Sequence, residues 1–157
     1  MKWPVADLSI RLVPDPVLRV VCAPVTEFDA ALAELTTGML AAMYAAPGRG
    51  LAAPQFGVAS RVFVMDTTWK DADPTPQIFI NPEMVDCADD VAIWEEGCLS
   101  IPDRTIRVAR PASVTLRWQG VDGAPQTGTF TGFAAACTQH ELDHLDGVLC
   151  TDYPEAP

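Results

Sequence analysis

Gln139-His140-Glu141-Leu142-Asp143-His144 holds both histidines of the chain, four residues apart around a glutamate. On a helix this spacing stacks the two imidazoles on one face, about one turn apart. Two ring nitrogens can then converge on a single metal ion while the adjacent carboxylate stays free to move protons. The spacing therefore predicts a helix, running from about Gly132 to Leu145 and stopped by Gly147. Either histidine alone would suit a solvated helix face, but the pair with its glutamate specifies the chemistry of a metal-dependent hydrolase.

Working upstream, Val114-Thr115-Leu116-Arg117-Trp118 alternates strictly between apolar and polar residues. Val121-Asp122-Gly123 closes a hairpin from it to Thr127 through Thr131. Arg61-Val62-Phe63-Val64-Met65 and Ile78-Phe79-Ile80 read as further strands, separated by turn chemistry at Asp73-Pro74 and Asn81-Pro82. Val148-Leu149-Cys150 has the look of a short buried strand. Nearer the start, Thr26 and Asp29 form a capping-box-like signal. Phe28, Leu32, Leu35, Met39 and Met43 then fall on one helical stripe until Pro47-Gly48 breaks it. No internal repeat or low-complexity linker interrupts the order helix, strands, helix. The expected fold is α+β, one domain over residues 1–157, with antiparallel β-sheets packed around a central helix that carries the histidine motif and with an N-terminal helix.

Composition narrows the partners. The chain has 157 residues, 49% of them hydrophobic, enough for one sizeable core. Its formal net charge of -11, with ten basic residues, argues against nucleic acid or an anionic membrane as the main partner. No apolar run approaches a membrane span, and Met1-Lys2-Trp3-Pro4 does not open a signal peptide. Five irregularly spaced cysteines suit reduced thiols in the cytoplasm rather than a disulfide framework.

Two histidines cannot hold a catalytic ion alone; a third ligand is needed, with one coordination position left for water. Downstream carboxylate is scarce, since the only glutamate after His144 is Glu155, in what reads as a frayed tail. Cys150 follows at a spacing used by one class of zinc protease, yet its apolar neighbours suit packing. Cys137, three residues before His140, also suits packing beneath the site. A further candidate is Cys98, in Glu95-Glu96-Gly97-Cys98-Leu99-Ser100.

Three separated segments together resemble the peptide deformylase family. They are Gly48-Arg49-Gly50-Leu51-Ala52-Ala53-Pro54-Gln55, then Glu96-Gly97-Cys98-Leu99-Ser100, then Gln139-His140-Glu141-Leu142-Asp143-His144-Leu145-Asp146-Gly147, in the family's order and spacing. The likeness extends from about Val13 to Tyr153. It implies that Cys98, His140 and His144 bind one divalent ion, Fe(II) physiologically, with Zn, Ni or Co also accepted, and that Glu141 is the general base and acid. It further implies that the Gln55 amide and the Leu99 main-chain N–H meet the developing oxyanion. An extended peptide would pair between Arg49-Gly50 and Gly97, with its methionine side chain near Phe133, Ala136 and Cys137. The implied substrates are N-formyl-methionyl peptides and nascent chains, met by a monomer with transient ribosome contact.

Three features depart from the family's common pattern. Arg49 stands where an aliphatic residue is usual, and we expect it to favour acidic or polar peptides. Ala45 replaces an acidic residue, and the end at Asp152-Tyr153-Pro154-Glu155-Ala156-Pro157 leaves no room for a ribosome-docking helix. The alternatives are a small metalloprotease and a paralogue with altered specificity or weak activity on ribosome-bound chains. The retention of Glu141, Gln55 and all three ligand candidates weighs against an inactive binding module.

Overall fold

A computed structural model describes residues 9–157. Helix α1 (Ala30–Ala45) begins at Asp29, whose side chain accepts from the Leu32 N–H at 3.1 Å. Asp29 is thus the cap itself, one turn later than a cap at Thr26 would start the helix. Leu32, Leu35, Met39 and Met43 are buried as the stripe requires, and Pro47 follows soon after the helix ends.

Seven strands follow: β1 (Gly50–Ala52), β2 (Val62–Met65), β3 (Gln77–Cys87), β4 (Val91–Cys98), β5 (Ile101–Pro111), β6 (Ser113–Gln119) and β7 (Pro125–Thr131). They form a five-stranded sheet in the order β1-β2-β3-β6-β7 and a separate β4-β5 ribbon, and each pair of neighbouring strands is antiparallel. Asn81-Pro82 does not end a strand as its composition suggests. Asn81 takes a left-handed conformation, φ 51°, at a register shift, and its side chain bonds both the N–H and the C=O of Val25. The side chain supplies partners where the ladder breaks, so β3 runs on as a bulged strand. The β6–β7 hairpin closes at Asp122-Gly123 as expected, with Gly123 at φ 86°.

Helix α2 (Gly132–Leu145) leaves β7 directly and lies between the two sheets. Its Ala135, Cys137 and Leu145 pack on Phe63, Met65, Phe79, Val114 and Leu116 of the large sheet. Phe63 and Phe79 stack with their ring centroids 4.3 Å apart. Gly147 ends the helix at φ 74°, where an added Cβ would lie 2.6 Å from the Arg19 carbonyl oxygen. The following segment is no strand: Cys150–Asp152 is a 3-10 turn that buries Leu149 and Cys150 against β4 and β5. Nor does the tail fray, because Glu155 accepts the Arg107 N–H at 3.0 Å and the Ala156 N–H reaches the Arg107 carbonyl at 2.8 Å. No helix among the described residues is long and apolar enough to cross a membrane.

Candidate metal centre

The β4-β5 ribbon delivers the thiol. Register slips between Gly97 and Cys98, so that Gly97 faces Thr105 while Cys98 faces Ile101 across a tight turn. That irregularity re-aims Cys98 beneath α2. From α2 itself come His140 and His144, one turn apart. Their Nε2 atoms are 3.2 Å apart, and Cys98 Sγ lies 3.5 Å from His144 Nε2. The three donor atoms all lie within 4.8 Å of one another, and all three side chains are buried.

This spacing fits an ion. A tetrahedral centre with nitrogen at about 2.0–2.1 Å and sulfur at about 2.3 Å sets N···N near 3.4 Å and S···N near 3.6 Å. The observed separations of 3.2 and 3.5 Å differ from these by a tenth or two. Burial, and then repulsion from His140, hold His144 well below the usual imidazole value, in the neutral form a ligand needs. His140 goes the other way: burial lowers it, but contacts with Cys98 and Glu96 outweigh burial and raise it well above that value.

The other sulfur candidates fall elsewhere. Cys150 groups with Glu96 and His140 and not with His144. Cys137 lies on the cavity wall by Gly50 and Glu141, with its thiol pushed well up by burial and so held protonated.

A buried relay behind His140 was not anticipated. Glu96 Oε1 is 3.0 Å from His140 Nδ1, and Arg110 grips Glu96 through two bonds of 2.6 and 2.9 Å. Burial would raise the Glu96 carboxyl, but the His140 and Arg110 hydrogen bonds outweigh it and hold it below its ordinary value. Arg110 also donates to Asp143 at 2.9 Å, and Asp143 accepts from the Tyr153 hydroxyl at 2.7 Å. The relay fixes the outer nitrogen of His140, leaving its Nε2 aimed at the thiol. The available signal was Arg110 on the inward face of the alternating run Ile106, Val108, Arg110: a buried arginine requires a buried carboxylate.

In front of the donors opens a cavity of about 680 Å³ lined by Arg49, Gly50, Gln55, Gly97, Leu99, Phe133, Ala136, Cys137, His140 and Glu141 among others. Every pocket residue named from the sequence therefore shares this one space. Burial pushes Glu141 up to about 7, and its Oε1 has no hydrogen-bond partner among the described residues. Gln55 Oε1 accepts from the Ala52 N–H at 3.0 Å, which turns its amide nitrogen toward Ser100 Oγ at 3.0 Å and Cys98 Sγ at 3.5 Å. The small residues of the first segment make room for Glu141: a Cβ on Gly50 would lie 2.6 Å from Glu141 Oε2.

The sequence profile of the polypeptide deformylase family matches residues 8–156. The chain belongs to this family. A peptide deformylase of Agrobacterium fabrum is 48% identical over 142 residues, which is 90% of this chain and 84% of that protein. The crystal structure of the Thermotoga maritima peptide deformylase aligns with a TM-score of 0.88 at 39% identity, covering 94% of this chain and 97% of that one. A peptide deformylase from Synechococcus elongatus in complex with actinonin aligns with a TM-score of 0.90 at 38% identity, covering 99% and 83%. The deformylase fold thus accounts for the α+β architecture, and the family's metal dependence agrees with the Cys98, His140 and His144 cluster.

Proposed function

We propose that Cys98, His140 and His144 hold the divalent ion with which this deformylase removes the N-formyl group from N-formyl-methionyl peptides and nascent chains. One thiolate and two imidazoles form a soft set suited to Fe(II) physiologically and to Zn, Ni or Co in purified protein. The convergence of three donors from two elements, two of them, Cys98 and His140, lining a cavity that also holds Glu141, carries this reading.

A divalent ion held by Cys98, His140 and His144 would supply Lewis acidity there, making water a nucleophile near neutral pH. Glu141, buried with a value of about 7 and a free oxygen, takes a proton from the attacking water and returns it to the departing amine. The Gln55 amide nitrogen, pre-aimed by the Ala52 bond, and the Leu99 main-chain N–H meet the charge that grows on the formyl oxygen.

For the peptide, β1 and β4 each pair on one side only among the described residues, so each leaves an edge open. The Arg49 carbonyl is bonded to the Asp66 N–H on the β2 side at 2.8 Å. Strand alternation then turns the polar groups of Gly50 to the open edge. A formyl-peptide lies between this edge and Gly97, a β-addition mode, with its methionine side chain against Phe133, Ala136 and Cys137. Reduced cysteines suit a cytoplasmic monomer, and the net charge of -11 weighs against direct nucleic-acid or membrane binding and leaves only transient contact with ribosomes.

Protein purified without oxygen, analysed for metal and offered N-formyl-Met-Ala-Ser beside an unformylated longer peptide, tests the reading. Formate release with no internal cleavage is expected; internal cleavage, or no reaction from the metal-loaded protein, contradicts it.

A further inference from the structure

We infer that the loop 67–76, together with Asp66 at its base, is the device that positions the peptide-binding backbone at Pro47 to Gly50. The inference rests on the reading of the Gly50 edge as the peptide's partner. Three consecutive carbonyls of that segment are held from this one neighbouring stretch. Lys70 Nζ donates to the Pro47 carbonyl at 3.2 Å, Trp69 Nε1 to the Gly48 carbonyl at 3.0 Å, and the Asp66 N–H to the Arg49 carbonyl at 2.8 Å.

The loop is itself knotted around a buried carboxylate. Asp66 Oδ1 accepts from the N–H groups of Thr68 and Trp69 at 3.1 and 3.2 Å. Its Oδ2 accepts from the Tyr44 hydroxyl at 2.6 Å and the Thr75 N–H at 3.0 Å. Tyr44, in the last turn of α1, also meets the Trp69 ring edge-on with centroids 5.2 Å apart. Helix, loop and strand edge are therefore fastened at one point.

The need for such a device follows from local conflict. A side chain at Gly48 or Gly50 would displace a cavity residue, since a Cβ would lie 2.8 Å from Leu99 Cδ1 at the first and 2.6 Å from Glu141 Oε2 at the second. Glycine satisfies the space but leaves the backbone with the greatest freedom to lose on pairing with a ligand. Holding the carbonyls from outside removes that freedom before the peptide arrives, so less ordering is left for the binding step. Trp69 and Lys70 are positioning residues in this sense, acting through Gly48 and Pro47.

The test is Trp69→Phe, which keeps a ring against Tyr44 and deletes the donor to Gly48. Loss of one such bond is expected to raise KM for N-formyl-Met-Ala-Ser about three- to tenfold and leave kcat within about twofold. A smaller rise is expected for N-formyl-Met, which has fewer backbone groups to pair, with metal content unchanged and the thermal midpoint lowered by no more than about the few degrees that one hydrogen bond is worth. A purely structural role would instead reduce kcat for both substrates alike. KM unchanged, or kcat and KM altered alike for both substrates, overturns the inference. If Trp69→Phe unfolds, Tyr44→Phe, which removes one bond to Asp66 from outside the cavity, decides in its place: a KM rise confined to the peptide supports the device, and an unchanged KM removes it. A wild-type protein inactive on N-formyl-Met-Ala-Ser would overturn the deformylase reading, whereas an active wild type beside an indifferent variant overturns only the loop's role.

Discussion

The two walls of the cavity are built on opposite principles. On the α2 side, side chains carry the chemistry: Cys98, His140, His144 and Glu141 are buried, and a second layer of Glu96, Arg110, Asp143 and Tyr153 fixes their geometry. On the β1 side the backbone carries the contact, and side chains act mainly by being absent, as at Gly48 and Gly50, or by holding carbonyls from behind. Perturbing the first wall should change what happens to a bound substrate, and perturbing the second should change how well it binds.

The largest effect belongs to the first wall. Glu141→Ala should keep the ion and lower kcat by about 10²- to 10⁴-fold. Single-turnover kinetics on metal-loaded protein check this; a loss expressed mainly in KM would erase the distinction between the walls. Arg110→Met comes next. It leaves the buried Glu96 carboxylate with only His140 of its two partners, a destabilisation of about 3–5 kcal/mol on the scale of a broken buried ion pair. Through His140 it should weaken metal binding by about 10- to 100-fold, measured by competition with a chelator.

The second wall responds to pH through Asp66. Burial pushes this carboxyl up, but hydrogen bonds from Tyr44, Thr68 and Thr75 outweigh burial and hold it below its ordinary value of 3.8. A depressed folded-state value means that stabilisation is full above the unfolded value and is lost as the pH falls through the folded one. Thermal midpoints of the wild type should therefore drop on acidification below about pH 4, and Asp66→Asn, less stable at neutral pH, should show a shallower drop. Equal slopes would mean that Asp66 does not fasten the loop.

The smallest effect is expected at Arg49. Its guanidinium lies 5.4 Å over the Phe133 ring and 3.6 Å from the exposed Asp71 carboxylate, so part of its charge is already answered. Arg49→Ile should shift relative kcat/KM across a formyl-peptide panel about twofold away from acidic residues after methionine, on the scale of an exposed ion pair. An unchanged panel removes Arg49 from specificity.

The same contrast explains what could be read from the sequence. His140, Glu141 and His144 announce themselves through spacing, because the helix repeat turns a four-residue interval into a shared face. The α1 stripe and the β6–β7 hairpin are legible for similar reasons. Strands β4 and β5 are not: the inward positions of β5 end on Arg110, a charge that breaks the apolar alternation and makes sense only with Glu96 facing it. Asn81-Pro82 hides β3 behind turn residues whose bulge is completed by Val25, a partner distant in sequence. The hold of Trp69 on Gly48 leaves no periodic trace at all, since it joins a side chain to a backbone carbonyl across two connections.

The assignment of the ion to Cys98, His140 and His144 is tested most directly by metal analysis of Cys98→Ala purified without oxygen beside the wild type. The account predicts about one ion per chain in the wild type and essentially none in the variant. Full stoichiometry in Cys98→Ala would contradict it and transfer the third ligand to Cys150 or Cys137.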